Sequence, residues 1–371
     1  LYHLIFVVKI KNNMKVCIIG DGLSSLTLAG ALVRQNIQVD IATQKKNYKV
    51  NRSRTIGISK SNFEYINKNI VNVKNISWKI NKIEIYTDNL IDEKLLDFEN
   101  SNQSLFLIFR NEEFYNNLEK KLSKNKFFKK IKYDKIESVI KNYNLVINTD
   151  LKNAITKKYF SKKLIKKYNS YAYTCIIKHK NISNNSATQI FTKKGPIAFL
   201  PVSKNETSIV YSFNDIKLRK TENIKALIQK YNFKYEIKRI EKIEKFELTS
   251  LNLRSYYHGN ILAFGDLLHK IHPLAGQGFN MTIRDTIFLS KIIKDKIDLG
   301  LPLDSSVNSE FEKNFRHKNF LFSNSIDFVY EFFNFETKLN NSFLSRSIKL
   351  LGTNEYANKM FRKIADDGIT I

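Results

Sequence analysis

The sequence predicts an α/β protein: a Rossmann-like nucleotide-binding domain, interrupted by a smaller antiparallel β-rich domain and followed by C-terminal helices. Three observations carry this prediction. The apolar run Lys15–Gly20 ends in the turn Gly20-Asp21-Gly22, and a helical pattern and a second apolar run follow it. The middle of the chain changes to short β-rich runs. A buried-strand pattern resumes at Ile261 and enters GDLLHKIHPLAGQGFNMTIRD (265–285), whose first 14 residues take three of the chain's 12 glycines and one of its 4 prolines.

Taken in order, Lys15–Gly20 reads as a strand, Leu26–Arg34 as a helix and Val39–Ala42 as a second strand, which together make the start of a βαβ unit. Leu105–Phe109 reads as a strand, Glu112–Leu122 as a helix and Asn144–Asn148 as another buried strand. Tyr171–Ile177, Gln189–Thr192, Ile197–Pro201 and Ser208–Phe213 are short β-rich runs between turn residues, as an antiparallel sheet requires, and Trp78–Tyr86 is expected to pair with them. The predicted division is a discontinuous nucleotide-binding domain (1–76, 104–168 and 251–302), a substrate domain (77–103 and 169–250) and a helical segment (303–371). In that segment Phe328, Phe332 and Phe335 have helical spacing, read as core or lobe contact, with a membrane-facing surface as the alternative.

Length and composition bound the function. A chain of 371 residues with 43% hydrophobic and 26% charged residues can bury a sizeable core. No apolar run reaches the ~20 residues of a membrane-spanning helix. The opening Leu1–Val8 is too short to span and lacks the flanks of a signal peptide, and Met14 is an alternative start. Cys17 and Cys175 each sit in an apolar run and read as buried free thiols of a reducing compartment. The net charge of +27 comes from lysines scattered end to end, which argues against a nucleic-acid-binding stripe but favours anionic partners, acidic lipid headgroups included. The densest clusters, Lys157–Lys167 and Lys120–Lys132, read as solvated helix faces.

The glycine turns carry the chemistry. Gly20 and Gly22 let backbone amides approach a pyrophosphate at a helix N-terminus. Ser25 stands at the third glycine position, where it is expected to strain helix–strand packing, and Thr43 and Gln44 replace the acidic residue that normally holds a ribose. In the later bend, Gly265 permits close approach, Asp266 can accept hydrogen bonds from sugar-alcohol hydroxyls, and Pro273 stiffens the loop. Gly276 and Gly278 leave room for a flat ring, and Asn280 is placed to cap the helix that follows. His269 and His272 lack further metal ligands at ligand spacing. His272, beside Pro273, reads as lining the ring or substrate face, and His269 as packing beneath the loop.

The 265–285 stretch closely resembles the second flavin-binding motif of the class A flavoprotein aromatic hydroxylases. HPLAGQGFN followed by Arg284-Asp285 is similar to the ubiquinone-biosynthesis hydroxylase branch. Arg54-Thr-Ile-Gly-Ile-Ser59, Phe109-Arg110 with Leu118, Gly195–Pro201 and the tail residues Phe335, Arg346 and Gly352 also resemble segments of that family, in family order. Asn148–Ala154 occupies the place of a GADGxxS segment but keeps only Asp150, with Leu151 and Ala154 where a glycine and a serine are expected.

The resemblance implies an FAD-dependent monooxygenase using NAD(P)H and O2 to hydroxylate the ring of a polyprenylated phenol or quinol on the way to ubiquinone. It implies no metal site and no nucleic-acid partner. Location would be cytoplasmic, with peripheral contact at the inner membrane face and with other proteins of the pathway. The cofactor set it implies is Gly20, Gly22, Arg54, Arg110, Asp150, Gly265, Asp266, Pro273, Gly276, Gln277, Gly278, Phe279 and Asn280. His272 and Pro273 would face the reacting ring. Two alternatives stay open: a catalytically degenerate accessory protein that binds a lipid quinone intermediate, and another flavin-dependent oxidoreductase on the same scaffold.

Overall fold

The structure is a computed structural model that describes residues 15–44, 53–88, 90, 93–100, 103–213, 223–339 and 343–354, with 356, 359, 363 and 366. Leu1–Val8 and Met14 lie outside the described residues. The chain opens with β1 (Lys15–Ile19), α1 (Leu23–Val33), β2 (Gln38–Thr43), β3 (Thr55–Ser59), α2 (Lys60–Tyr65), β4 (Ser77–Ile80), β5 (Lys82–Thr87), β6 (Lys94–Glu99) and β7 (Phe106–Arg110). It continues with α3 (Asn111–Leu122), β8 (Phe128–Lys132), α4 (Ile136–Ile140), β9 (Leu145–Asn148), α5 (Ala154–Tyr159), β10 (Lys163–His179), β11 (Ser186–Thr192), β12 (Gly195–Pro201) and β13 (Glu206–Phe213). The last third holds α6 (Ile224–Lys230), β14 (Ile237–Ile240), β15 (Glu244–Leu253), β16 (Tyr257–His258), β17 (Ile261–Ala263), β18 (His269–Lys270), α7 (Gln277–Asp298), α8 (Ser305–Leu339) and α9 (Phe343–Thr353).

Three sheets organise the described residues. The first runs β16-β17-β9-β1-β2-β8, parallel from β17 to β8. Its strands are continuous apolar runs because both faces are covered: Val16, Cys17, Ile18 and Ile19 are all fully buried. The second sheet, β18-β15-β10-β13-β12-β11-β5-β6 with β14 on β10, is largely antiparallel, and β5 joins β11 in parallel. β3-β7-β4 form a small antiparallel sheet between them, tied to the second by Thr55 Oγ1 donating to Ser208 Oγ at 2.9 Å. The main core lies around the parallel sheet, with α1, α3 and α7 packed over it.

The structure corrects three expectations. Trp78–Tyr86 is not one strand of the substrate sheet: β4 enters the small sheet, and only β5 enters the large one. Each lysine cluster is a solvated helix face only at its start, where Lys157 and Lys158 are exposed on α5 and Lys120 and Lys121 on α3, since Lys163, Lys166 and Lys167 lie on β10 and Lys129, Lys130 and Lys132 on the edge strand β8. The phenylalanine stripe is not uniformly core. Phe328 and Phe335 are exposed, while Phe333 is buried and stacks on Phe191 with ring centroids 3.7 Å apart. Cys17 and Cys175 are buried free thiols, and burial pushes each up to about 12.

Candidate active site

Strand order locates the site. From β1 the chain moves to β2 and β8 on one side, and β9 and β17 lie on the other, so the order reverses between β1 and β9. In open parallel sheets ligands bind outside the carboxyl ends of the strands at such a point. Gly20, Thr149 and Gly265 follow the carboxyl ends of β1, β9 and β17 there. Gly20 has φ +105°, and a Cβ on it would meet Thr149 Oγ1 at 2.5 Å. Gly265 has φ +63°, and a Cβ there would lie 2.7 Å from Ser24 Oγ and 2.8 Å from Ser24 Cβ, so the two glycine turns touch. Both positions need glycine for conformation and for space.

Gly22 caps α1 without a side-chain hydrogen bond, and no acid sits in the first turn of this 11-residue helix. Its free amides and dipole therefore face the crevice, where an anion is favoured. Ser25 does not strain the packing. It is fully buried, its Oγ shares a 2.8 Å hydrogen bond with Thr149 Oγ1, and Thr149 Oγ1 also bonds the carbonyl of Ile19 at 2.9 Å. At the end of β2, Thr43 is half-buried and Gln44 exposed, with no carboxylate at either position.

The segment that lost its expected glycine and serine is nonetheless an ordered turn. Asn148, fully buried, accepts from Asp150 N at 3.1 Å and from Asn153 Nδ2 at 2.8 Å, and donates to Thr156 Oγ1 at 2.8 Å. Asn153 caps α5 by accepting from Thr156 N at 2.7 Å, one residue before the position where a serine was expected. Leu151 has no positive φ and is 39% exposed, so its side chain meets solvent where glycine was expected. Asp150 Oδ1 accepts from Lys152 N at 2.8 Å.

In the later bend, Gly276 adopts φ +64° and its α-carbon face lies against Gly57 of β3, 3.6 Å from where a Cβ would sit. α7 starts at Gln277, with Gly276 as its N-cap and no side-chain cap. Asn280 is therefore not the cap. It lies one turn inside the helix and reaches out to β3, accepting from Ser59 N at 3.0 Å and donating to the carbonyls of Gly57 at 2.9 Å and Gly276 at 3.3 Å. Asn62 Nδ2 donates to Asn280 Oδ1 at 2.9 Å. One side chain thus fixes the loop, the helix and β3 to each other. Gly278 and Phe279 occupy the first turn of α7, where Phe279 meets Phe114 edge-on at 6.0 Å. Gln277 Oε1 accepts from Arg284 at 3.1 Å.

The two histidines differ sharply. His269 bonds Asp285 through Nε2, both fully buried, and Asn319 of α8 donates to the other Asp285 oxygen at 3.1 Å. His272 is equally buried, yet neither ring nitrogen has a partner. It stacks on Tyr330 at 4.2 Å and meets Tyr168 edge-on at 5.0 Å, and Tyr168 in turn bonds Asp327. Burial, with a smaller contribution from Lys166, lowers its pKa to about 3. His272 is therefore a neutral imidazole. Pro273, next in the chain, is half-buried, and Asp266 is exposed at the crevice.

Arg54 and Arg110 are brought together at one end of the small sheet, where Thr55 pairs with Arg110. Both already have partners. Arg54 lies 3.9 Å over the Phe246 ring, and Arg110 forms an ion pair with Glu206 and lies 3.6 Å from Glu113. Sequence reasoning missed Ser59, Asn62, Thr149, Asn153, Tyr168 and Tyr330. Their partners are mostly far away in the chain, and only Asn153, just before a helix, left a local signal. Among the described residues no group of three or more His, Cys, Asp or Glu is placed to hold a metal.

These residues fit the FAD that the resemblance implies. An uncapped helix end stands at the switch point, two glycine turns are closed to any side chain, and a second uncapped helix follows a loop held against β3. Comparison with known proteins agrees. A family model described as FAD binding domain matches residues 182–298. The chain is 29% identical over 170 residues to 3-demethoxyubiquinol 3-hydroxylase of Escherichia coli (strain K12), covering 43% of this chain and 44% of that protein. It is 24% identical over 260 residues to the mitochondrial ubiquinone biosynthesis monooxygenase COQ6 of Dictyostelium discoideum, covering 56% and 52%. The matches thus span about half or less of these relatives' own length.

Likeness of fold extends further. p-Nitrophenol 4-monooxygenase PnpA from Pseudomonas putida DLL-E4 superposes with a TM-score of 0.74 at 11% identity, over 95% of this chain and 99% of that one. Klebsiella pneumoniae HpxO, solved with FAD and uric acid, gives 0.72 at 11% identity, over 96% and 97%. The matching domain model and the shared fold lead to one conclusion: the chain resembles the FAD-binding monooxygenases over the matched residues and has the fold of their solved structures.

Proposed function

We propose that the protein hydroxylates the ring of a polyprenylated phenol or quinol in ubiquinone biosynthesis, with FAD as cofactor, NAD(P)H as electron donor and O2 as oxidant. Overall, one oxygen atom enters the ring and the other leaves as water, with two electrons from the nicotinamide. The observation that carries the reading is the meeting of Gly20, Thr149 and Gly265 at the switch point, beside a loop that Asn280 holds to β3. The names of the curated relatives support the substrate class.

In this reading the α1 amides behind Gly20 and Gly22 bind the pyrophosphate, and Asp266 accepts hydrogen bonds from the ribityl hydroxyls. Pro273 to Gly278 bed the ring, with the start of α7 directed at its carbonyl edge. Asp150, Arg54 and Arg110 border the cofactor, and Arg110 exchanges Glu206 for it only at the cost of an ion pair. Bound FAD supplies the redox chemistry that activates O2. The protein binds, orients and excludes water. His272 contributes an uncharged, desolvated wall at Pro273 and transfers no proton at neutral pH. The domain division 1–76, 104–168 and 251–302 against 77–103 and 169–250, with 303–371 as the helical segment, belongs to the same proposal; β10 and β15 run across its borders.

The test is purification followed by assay. Yellow protein that oxidises NAD(P)H when a prenylated phenol is added, and forms a product heavier by one oxygen atom, is the expected result. Colourless protein that excess FAD does not reconstitute would exclude it. Flavin-bearing protein that acts on other substrates would remove the substrate class alone.

A further inference from the structure

One of the chain's two most lysine-rich stretches is a surface that the monooxygenase site does not use. Residues 157–167 read KKYFSKKLIKK, six lysines in eleven residues with no acid. The second half is the start of β10, which among the described residues pairs only with β15 over Lys163–Lys167, so that no described strand covers its other edge. Within it Leu164 is 43% and Ile165 52% exposed, on opposite faces of the strand. Lys166 is tied to α8 by Glu331 at 3.0 Å, and on that turn of α8 Phe328 is 68% exposed. Among the described residues no carboxylate lies within ion-pair distance of Lys157, Lys162, Lys163 or Lys167.

We infer that this edge, Lys157 to Lys167 with Phe328 of α8, is a docking surface for an anionic phospholipid bilayer. Uncompensated lysines flanking exposed aliphatic side chains match an acidic headgroup layer over hydrocarbon, since the ammonium groups stay at the interface while the apolar side chains enter it. A nucleic acid fits less well. Single strands need successive stacking platforms, and of the three rings at this surface Phe328 is exposed but the other two are taken: Tyr159 stacks on His258 at 4.0 Å, and Tyr168 lies against His272 and Tyr330. The inference stands whatever the substrate. If the substrate is the prenylated lipid proposed above, the surface acquires a direction, because Tyr168, which touches His272, lies only about 10 Å along the strand from Ile165.

The experiment is flotation of the purified full-length flavoprotein with vesicles of phosphatidylcholine alone, or with about one-third phosphatidylglycerol added, at low and physiological salt. No substrate or turnover is involved, so its failure is independent of the enzymatic reading. Binding to the anionic vesicles only, weakening with salt, is expected. Replacing Lys162, Lys163 and Lys167 with Gln lowers partitioning about 100-fold, at about fivefold per lysine. Leu164→Ser with Ile165→Ser lowers it about tenfold. Lys124→Gln with Lys126→Gln and Lys129→Gln, an equal loss of charge elsewhere, leaves it within about twofold of the unaltered protein. Thermal unfolding and flavin content confirm that each variant is folded. Equal binding to neutral vesicles, no binding at all, an equal loss in the control triple variant, or tighter capture by single-stranded RNA that ignores Leu164 and Ile165 would each overturn the inference.

Discussion

The loops after β9 and after β17 leave neighbouring strands of one sheet and border one crevice, yet they meet its demands by different means. The 148–154 loop has lost the glycine and serine that the resemblance expects, and it holds its turn through Asn148, Asn153 and Thr156. The 265–280 loop has kept its glycines, because Gly265 and Gly276 take positive φ and Gly265 also touches Ser24. A side-chain hydrogen bond can be supplied by another residue one position away. Left-handed backbone pressed against a neighbouring turn has no such substitute. Erosion in the first loop therefore leaves its turn intact, while the carboxylate missing at Thr43 and Gln44 has no such replacement.

The comparison breaks most visibly at Gly265. Gly265→Val adds left-handed strain and a clash with Ser24, costing about 4 kcal/mol. Thermal unfolding should show that loss, and gel filtration a protein stripped of flavin. Retained flavin at unchanged Tm would mean that the turn is not fixed by glycine. Asn280→Ala comes next. It leaves Ser59 N and the Gly57 carbonyl unpaired in a buried place, for about 3 kcal/mol by urea unfolding.

His272 gives a pH test within the same loop. Its folded pKa is about 3 against 6.5 for the ordinary group, so below pH 6.5 the unfolded chain takes up a proton that the folded chain refuses. Its contribution is intact above 6.5 and is lost as pH falls, by about 2 kcal/mol between pH 6.5 and 5. His272→Phe should flatten the pH dependence over that window relative to the unaltered protein. Parallel curves would show that the imidazole is solvated after all. The smallest effects lie in the 148–154 loop. Asn153→Ala costs about 1 kcal/mol through the lost cap, and Leu151→Gly, which restores the expected residue, shifts stability by less than about 0.5 kcal/mol. A large gain in flavin affinity from Leu151→Gly would show that the loop is damaged rather than intact.

What the sequence displayed depended on how far each interaction reaches along the chain. β1, the Gly20 turn, α1 and β2 form one local unit, and an apolar run ending in glycine announces it. The 265–280 bend was equally legible, since its conformation rests on glycine and proline within a few residues. The role of Asn280 was not, because Ser59 lies 221 positions away, and a polar residue near a helix start reads most simply as a cap. Trp78–Tyr86 gave one β signal although the chain changes sheets at Asn81, a matter that only tertiary packing decides. Lys157–Lys167 lacked strand alternation because the start of β10 exposes side chains on both faces, Leu164 and Ile165 among them, so no buried face imposed a period of two.

One small contact sets a timetable. Asp366 accepts from the Ser61 amide and hydroxyl at 3.0 Å each, and its own carbonyl accepts from Ser59 Oγ at 3.1 Å. That is the turn which shares Asn280 with α7. During synthesis β3 and α2 emerge early, but their turn gains its last partners only after some 305 further residues have left the ribosome. The turn that Asn280 shares with α7 is thus closed by a residue that emerges long after it, so its last hydrogen bonds form late in folding.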